Sequence, residues 1–466
     1  MIIASAAIYW GSNPALATPA LSLISLEGVT GSLNPAFDSN ITRYSVVSSV
    51  DNEAVSITPS ATTGTTIEVN GVVVSSGTSV NLSPIAAGEN IKVTASQNGE
   101  QTTYEIFYLP SDFPQLSARS NGTGISTDPI YINAVVNDSN TSYLINLDNN
   151  AVPTFYRKLD GFVIDYKLHE PTRERSYSKR RSDRNKWGQL NGEIVILNSE
   201  GQDSEVIKTV GLSHTDPHDF LITHTNELVL LSYDGVVKDL SDIGLAANEV
   251  VEESVIQIID RTTGHINFVW RGLDEIPYED QLYKTFRSEY AHINSVVVDS
   301  DGNLLASLRG TSNIVKIDRT TGRLLWIFGG KSNQFEFIND PFTGTCGQHT
   351  ASWLDNGNLL VFDNGQQCLP EDNRGEVTRI VEYEIDESDL TAKLVWSYEQ
   401  SGQYSLARGS AQRLKNGNTF ISWGRRKNPA ANPLVTEVNK SGESVFEIAT
   451  EGETPISIYR AYRFSN

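Results

Sequence analysis

Three of the chain's seven histidines occupy one position in a repeated sequence plan. Each stands just before a strand-like run, which continues through an Asn- or Gly-containing turn into a second strand. These histidines are His218, His292 and His349. A fourth copy of the plan has Arg408 and Ser410 at the corresponding place. Because stacked repeats bring equivalent positions close together, we expect the three imidazoles and an arginine to converge on one site, with Arg408 and Ser410 both possible as the equivalent residue of the fourth copy.

The residue types at this position favour binding of an anion. Three histidines can hold a catalytic zinc ion. However, Arg309 follows the strand that pairs with the one after His292, so it would repel a cation, and no Asp or Glu occupies the repeat position. Histidine and arginine side chains donate hydrogen bonds to an anion whose charge is spread over several oxygens. The sequence therefore predicts an anion site without a metal.

The repeats themselves predict the fold that positions these residues. The first hairpins of the repeats cover residues 218–235, 292–310, 348–365 and 410–424. Second hairpins lie between or after them, at residues 254–270, 312–329, 382–398 and 436–448. Two hairpins make a four-stranded unit, which is typical of a propeller blade. Six blades fit the length of the region better than seven.

The ends of the propeller region can also be placed. Residues 191–201 are expected to end the first blade. Residues 457–464 are expected to supply a last strand that completes a blade begun near the start of the region, which leaves no free sheet edge. In such a blade the first strand lines the central channel, so the histidines would stand at one mouth of that channel.

Residues 20–109 have a different texture, with apolar and polar residues alternating in short runs between turn residues. This pattern predicts a small antiparallel β-sandwich. The chain is therefore expected to be all-β: an N-terminal β-sandwich in residues 20–109, followed by a six-bladed β-propeller in residues 110–466. Residues 1–19 are apolar and rich in small side chains, but they lack a basic region, so we expect an atypical secretory leader or a disordered tail.

Composition excludes several functions. The formal net charge of −21 argues against a nucleic-acid partner, which needs an excess of Lys and Arg. No apolar run of about 18 residues is present, so no membrane span is expected. The only two cysteines, Cys346 and Cys368, are expected to form one disulfide in a secreted chain.

One basic stretch departs from this acidic background. Residues 172–187 contain seven Lys or Arg side chains. A solvated, mobile loop inserted in the first blade is one interpretation. A lid that raises the local concentration of an anionic ligand is the other.

Two family resemblances follow from these motifs. The stretches SLEGVTGSLNPAFDSNITRYSVVSSV and AAGENIKVTASQNGEQTTYEIFYL resemble the cadherin-like bacterial β-sandwich family, which implies a structural or adhesive role. HDF at 218, His292-Ile-Asn294, Arg309 and QH followed by NGNLLVFDNG at 348–365 resemble the bacterial arylsulfate sulfotransferases. That family consists of periplasmic six-bladed propellers that use no nucleotide cofactor.

The second resemblance implies a reaction and its residues. It implies that His349 is a nucleophile that takes sulfate from an aryl sulfate as a sulfohistidine and passes it to a phenol. The donors to the sulfuryl oxygens would be His218, His292, Asn294 and Arg309, with Arg408 and Ser410 as further substrate-binding residues. The resemblance also implies a periplasmic or secreted location and leaves a homodimer open.

Two departures from the family's pattern leave an alternative function open. The family's disulfide is closely spaced, whereas Cys346 and Cys368 lie 22 residues apart on either side of the His349 hairpin. The sandwich also differs from the N-terminal domain through which family members make their dimer contacts. A non-catalytic propeller that binds a sulfated or other anionic partner is therefore the alternative function.

Overall fold

The structure is a computed structural model. It describes residues 18–49, 55–82, 85–121, 123–136, 139–184, 190–282, 290–428, 433–451 and 456–465, without the side chains of 182–184 and 190. Almost all of the predicted leader, residues 1–19, lies outside these ranges. The chain divides into two compact units, Met1–Phe113 and Pro114–Asn466. Among the described residues, no helix has the length and apolar character needed to cross a membrane.

The first unit is the predicted sandwich. One sheet contains, in spatial order, the strands Leu21–Glu27, Ser56–Ala61 and Val80–Asn81. The other contains, in spatial order, Val29–Asn34, Arg43–Ser48, Glu100–Leu109, Asn90–Gln97, Thr66–Val69 and Val72–Val74. In Asn90–Gln97 every second residue from Ile91 to Ala95 is buried, because successive side chains of a strand point to opposite faces.

One strand pair corrects the expectation of a purely antiparallel sandwich. Arg43–Ser48 runs parallel to Glu100–Leu109, with Tyr44 opposite Ile106. Alternation of apolar and polar residues fixes the face that a side chain occupies, but it carries no information about strand direction. Strands that are not joined by a short hairpin are free to pair in parallel.

The second unit contains six sheets within its described residues, here called P1 to P6. P1 consists of Pro153–Asp160, Thr141–Leu147, Ile130–Val136 and the C-terminal strands Ile456–Ser457 and Ala461–Arg463. P2 consists of Phe162–His169, Glu174–Arg184, Leu190–Leu197 and Asp203–Ile207. P3 consists of Asp216–Ile222, Glu227–Lys238, Glu249–Asp260 and Ile266–Arg271.

The remaining sheets follow the same plan. P4 consists of Ile293–Val298, Leu304–Leu308, Asn313–Ile317 and Leu324–Phe328. P5 consists of His349–Trp353, Leu359–Asp363, Arg379–Asp386, Thr391–Glu399 and the added strand Glu336–Ile338. P6 consists of Ser410–Arg413, Thr419–Ser422, Val435–Val438, Ser444–Thr450 and Leu116–Ser120. Short 3₁₀ turns lie at Ser241–Ile243, Gly272–Asp274 and Tyr278–Asp280.

The innermost strands of these sheets contact one another in cyclic order. The first strands of P2 to P6 touch in sequence, and the C-terminal strand Ala461–Arg463 touches the first strands of both P6 and P2. That C-terminal strand pairs with Ile130–Val136, with Ile130 opposite Arg463. The C-terminal strands thus complete a sheet that begins near the start of the second unit, as the sequence predicted for residues 457–464. This is a propeller-like arrangement.

Two expectations about the start of this unit were wrong. Residues 191–201 supply the third strand of P2 instead of ending the first blade, because P1 is built from residues 130–160 and the C-terminal strands. In the basic stretch 172–187, residues Glu174–Arg184 form the second strand of P2 instead of a loop, and residues 185–187 lie outside the described ranges. Tyr177 is buried between the buried Ser176 and Ser178, so this strand packs into the sheet despite its charge.

The predicted disulfide is present between Cys346 and Cys368, whose Cα atoms are 5.0 Å apart. Buried ion pairs hold the same region: Asp363 contacts both Arg374 and Arg379, and Arg379 also contacts Asp340. Asp363 additionally accepts a hydrogen bond from the backbone N–H of Cys346 at 3.0 Å. The segment that enters the His349 strand is therefore fixed both covalently and by buried charges.

Replacing both Cys346 and Cys368 with serine should destabilise the second unit. Cross-linking residues 22 positions apart restricts the unfolded chain, which corresponds to about 3 kcal/mol. Urea unfolding of this unit should therefore show a lower midpoint with little change in its slope. Dithiothreitol should lower the midpoint of the wild-type chain to a similar degree without affecting the double variant. An unchanged midpoint in the double variant would contradict this estimate.

Candidate active site

A pocket of about 330 Å³ lies at one end of the innermost strands. Its lining includes five residues that the sequence analysis selected: His218, His292, Arg309, His349 and Arg408. They come from the neighbouring sheets P3, P4, P5 and P6. The structure thus brings together all three histidines of the repeat position and both arginines.

A common backbone irregularity places the three histidines. The pairing register of each first strand shifts at the histidine or just after it, between Asp216 and Phe220, between Ile293 and Ser295, and between His349 and Ala351. A β-bulge of this kind bends a strand and redirects its side chains. His292 also has a φ of 48° and Arg408 a φ of 65°, in the left-handed region that non-glycine residues rarely occupy. Strained backbone of this kind clusters at functional sites.

Hydrogen bonds fix both ring nitrogens of His349. Nδ1 lies 2.7 Å from Oδ1 of Asn364, whose Nδ2 donates to the carbonyl oxygens of Ser405 and Arg408. Oδ1 of Asn364 therefore acts as the acceptor, and the proton of His349 lies on Nδ1. Nε2 accepts a hydrogen bond from the backbone N–H of Arg408 at 2.9 Å. This geometry leaves the lone pair of the ring on Nε2.

The surroundings of His349 also keep the ring neutral. Burial and then the positive charge of Arg309 lower the pKa of His349 well below its usual value, although the bond to Asn364 has the opposite effect. A buried imidazole that remains unprotonated retains a free electron pair, which a nucleophile requires. The site therefore holds one histidine as a neutral base or nucleophile at neutral pH.

His218 is oriented by a carboxylate. Its Nδ1 lies 2.7 and 2.9 Å from the two oxygens of the buried Asp216, so its Nε2 is the nitrogen left for the pocket. Burial lowers the pKa of His218 more than Asp216 raises it. His218 also packs edge-on against His292, with ring centroids 4.9 Å apart. These two rings lie close enough to act on the same group.

Two predicted substrate-binding residues lie away from this pocket. Asn294 is fully buried, and its Nδ2 donates to the carbonyl oxygen of Gln348 at 2.8 Å, directly before His349. The Oγ of Ser410 donates to the carbonyl of Ala461 at 3.1 Å, and Ser410 lines a separate cavity of about 1050 Å³ toward the other end of the strands. The bulge after His292 changes the alternation of side chains, which places Asn294 behind the site.

A buried cluster of charged side chains holds the backbone of Asn294 in place. Arg460 donates to the backbone carbonyl of Asn294 at 2.5 Å and forms ion pairs with Asp165 and Asp219. Lys167 lies between the same two carboxylates, at 2.7 and 2.5 Å. Despite burial, the positive charges of Lys167 and Arg460 lower the pKa of Asp219. This cluster fixes the backbone of Asn294, which lies two residues after His292. The side chain of Asn294 in turn holds the carbonyl of Gln348, directly before His349.

Two residues that orient the histidines, Asn364 and Asp216, were not predicted from the sequence. Asn364 directly follows the strand that pairs with His349–Trp353, within the quoted motif FDNG. Asp216 stands two residues before His218. Asn364 could have been identified as a polar residue at the end of the neighbouring strand. Asp216 could have been identified as a polar residue two positions before a histidine.

The other four histidines, His169, His214, His224 and His265, do not share the repeat position, so the sequence predicts surface or turn residues there. His224 and His265 are exposed turn residues. His169 and His214 are buried, which corrects the expectation for them. His169 contacts Ser176 Oγ at 2.7 Å and packs edge-on against Phe220, while His214 stacks on Tyr233. Burial of these rings depends on aromatic neighbours that the repeat pattern does not reveal.

Comparison with known proteins gives matches in both units. Residues 175–463 match the model of the arylsulfotransferase (ASST) family, and residues 21–108 match that of the cadherin-like beta sandwich domain. The arylsulfate sulfotransferase AssT of Lelliottia amnigena is 27% identical over 161 residues, 28% of this chain and 26% of that protein. The protein of the same name from Escherichia coli O6:H1 is 28% identical over 213 residues, 38% of this chain and 35% of that protein.

The two curated alignments thus span only about a quarter to a third of their proteins. Among solved structures, the periplasmic gluconolactonase PpgL of Pseudomonas aeruginosa covers 71% of this chain and 99% of its own, at 12% identity and a TM-score of 0.38. A likeness at that score supports no conclusion about function. The family match alone covers more than half of the chain. This chain therefore belongs to the arylsulfotransferase family and carries a cadherin-like β-sandwich ahead of the matched region.

Proposed function

We propose that this chain is an aryl-sulfate sulfotransferase that moves a sulfuryl group from an aryl sulfate to a phenol through a sulfohistidine on His349. The observation that carries the proposal is the state of His349: its Nδ1 proton is directed to Asn364, its ring is kept neutral, and its Nε2 lies in a pocket lined by Arg309 and two further histidines. Neutral imidazole is a nucleophile, and covalent capture divides one difficult displacement into two easier ones.

In the first half-reaction, the electron pair on Nε2 of His349 forms a bond to sulfur. The bond between sulfur and the aryl oxygen breaks, and its electron pair stays on that oxygen. The aryl oxygen then takes a proton and becomes a phenol, and the proposed donor is the histidine, His218 or His292, that took up the acceptor's proton in the preceding half-reaction. The hydrogen bond from the N–H of Arg408 to Nε2 must break as the N–S bond forms. That N–H then lies beside the sulfuryl oxygens and can donate to them.

The second half-reaction reverses these bonds with another phenol. The acceptor oxygen bonds to sulfur, the N–S bond breaks, and its electron pair returns to Nε2. The proton of the acceptor passes to His218 or His292. Throughout, Nδ1–H remains bonded to Asn364, which stabilises the positive charge that the ring carries as a sulfohistidine.

The state of His349 also distinguishes this proposal from simple anion binding. A site that only binds an anion gains from protonated histidines, because a charged donor binds an anion more strongly. Here burial and Arg309 disfavour the protonated form of His349. A nucleophile needs that neutral form, so the arrangement favours transfer over binding alone.

The disulfide supports a periplasmic or secreted location, because disulfides persist in oxidising compartments. We propose no cofactor, since sulfuryl transfer gains mainly from positioning and charge stabilisation, as phosphoryl transfer does. The substrates would be small aryl sulfates and phenols, with no nucleic acid. We assign only a structural or adhesive role to the sandwich.

The test is a transfer assay with 4-nitrophenyl sulfate as donor. Release of nitrophenolate beyond one equivalent per protein should depend on added phenol, and phenyl sulfate should form in an amount equal to this further release. Without phenol, a rapid quench should trap the protein with one added SO₃ group on His349. If no tested phenol gives release and no adduct forms, the propeller is an anion-binding module instead.

Replacing Arg309 with methionine should slow transfer by about a hundredfold, because loss of one donor to a developing anion costs at least about 2.7 kcal/mol of barrier. The pKa of His349 should also rise, since Arg309 is one of the groups that lower it. The acidic limb of the kcat/KM profile should therefore move to higher pH. Arg323, which is exposed on a turn, provides a matched control. An unchanged pH profile would mean that Arg309 does not act on His349.

A further inference from the structure

The pocket is also lined by three arginines whose side chains the proposed transfer does not use. We call Arg180, Arg408 and Arg425 the arginine subsite. Arg180 lies in the strand Glu174–Arg184 of P2, whereas Arg408 and Arg425 flank the first two strands of P6. They therefore come from different parts of the chain than the three histidines.

Backbone pairing and one aromatic ring hold these arginines in place. Phe162 stands directly opposite Arg180 in the paired strands of P2. The guanidinium carbons of Arg180 and Arg408 lie 5.1 and 5.3 Å from the centre of its ring. Two backbone hydrogen bonds join the segments of Arg408 and Arg425: Leu406 donates to Arg425 at 2.8 Å, and Arg425 donates to Ala407 at 2.9 Å. The subsite is thus built by the fold.

The charges in this pocket do not balance. Among the described residues, its lining contains four arginines and no Asp or Glu, although the whole chain has a net charge of −21. Burial lowers the pKa of Arg408 to about 10; Tyr459 opposes this, and the positive charges of Arg180 and Arg425 add to it. Guanidinium groups that repel one another in a pocket are stabilised when an anion binds among them.

An aryl monosulfate supplies too little negative charge to match this lining. Its sulfuryl group carries one negative charge, which Arg309 already matches beside the histidines. The apolar side chains of Phe162, Ile164 and Leu406 offer a surface for an aromatic ring. A volume of about 330 Å³ lies at the low end of the usual range for ligand pockets and suits a single substituted ring.

We propose that the arginine subsite binds a second anionic substituent on the aromatic ring, so that the preferred donors and acceptors are aryl sulfates and phenols that carry such a group. This inference rests on the proposed function and narrows its substrate class. Planar guanidinium groups match carboxylate and sulfate oxygens and bind them with charge-assisted hydrogen bonds. Donor and acceptor occupy the same pocket in turn, so the preference applies to both.

The experiment compares 4-carboxyphenyl sulfate with 4-carbamoylphenyl sulfate, which has the same shape but no second charge. Wild-type kcat/KM should favour the carboxylate by about tenfold or more, the effect of a charged hydrogen bond. The amide withdraws electrons more strongly from the ring, so leaving-group reactivity alone would favour the amide ester. The variants Arg180→Gln and Arg425→Gln should each reduce the carboxylate-to-amide ratio toward one. Arg323→Gln should keep the wild-type ratio.

The preference should also weaken as ionic strength rises, because Arg180 and Arg425 are exposed. The inference is overturned if the wild-type ratio is one or lower, or if both variants keep the wild-type ratio. Calorimetric binding of 4-sulfobenzoate and 4-carbamoylbenzenesulfonate distinguishes the absence of the subsite from failure of the proposed function. Neither compound can donate its sulfonate, so their binding is measured independently of transfer. Tighter binding of the carboxylate, lost in the two variants, supports the subsite even if no ester is turned over. Equal binding of the two compounds rejects it.

Discussion

Replacing His349 with alanine should abolish sulfuryl transfer, with kcat falling by about 10⁴-fold or more, as when a catalytic nucleophile is removed. Alanine has no electron pair to attack sulfur, so the covalent intermediate cannot form. Two measurements check this: phenol-dependent release of nitrophenolate, and the intact mass of the quenched protein. The variant should show neither release nor an adduct of one SO₃ group.

The control for this variant is His265→Ala, which removes an exposed histidine from a turn of P3. It should keep wild-type activity and the adduct on His349. Transfer that persists in His349→Ala with an adduct on His218 or His292 would assign the nucleophile to another member of the cluster. Transfer that persists without any adduct would mean that sulfur passes directly from donor to acceptor.

Replacing Asn364 with leucine should lower kcat by about a thousandfold while KM changes little. Loss of the carboxylate that orients a catalytic histidine costs about 10⁴-fold, and a neutral amide is expected to contribute somewhat less. Oδ1 of Asn364 accepts a hydrogen bond from Nδ1–H of His349, and its Nδ2 donates to the carbonyl oxygens of Ser405 and Arg408. Its loss would misplace both the ring of His349 and the backbone N–H of Arg408 that faces Nε2 of that ring. Because Asn364 does not line the pocket, substrate binding should be largely retained.

A fall in kcat with little change in KM distinguishes a positioning role of Asn364 from a structural one. Rapid-quench measurements should show that the adduct on His349 forms more slowly in Asn364→Leu, while calorimetry should show nearly unchanged binding of 4-sulfobenzoate. The variant Asn267→Leu replaces an exposed asparagine in P3 and serves as a control for the substitution itself. If Asn364→Leu retains wild-type kcat, the hydrogen bond to Nδ1 has no role in transfer. Thermal unfolding of both variants would show whether the fold is intact.

The sequence by itself predicted the pocket's three histidines and two of its arginines. A propeller converts position within a repeat into position around an axis, so His218, His292 and His349 share a pocket because they share a repeat position. Arg408 was predicted from its repeat position, and Arg309 from its place at the end of a paired strand. The alternation of apolar residues likewise predicted the sandwich, and strand spacing predicted the four-stranded sheets.

The tertiary structure decided which polar residues face the pocket and which support it. Bulges next to the histidines change the alternation of side chains, so Asn294 lies behind the site although it stands two residues after His292. Asn364 and Asp216 act through hydrogen bonds to imidazole rings, and a linear pattern does not reveal the direction of such a bond. Arg180 reaches the pocket because its strand packs into P2 through Tyr177, whereas charge alone favoured a loop. Repeat position thus determined which histidines meet at the pocket. Side-chain packing determined the protonation of His349 and the positive charge of the lining.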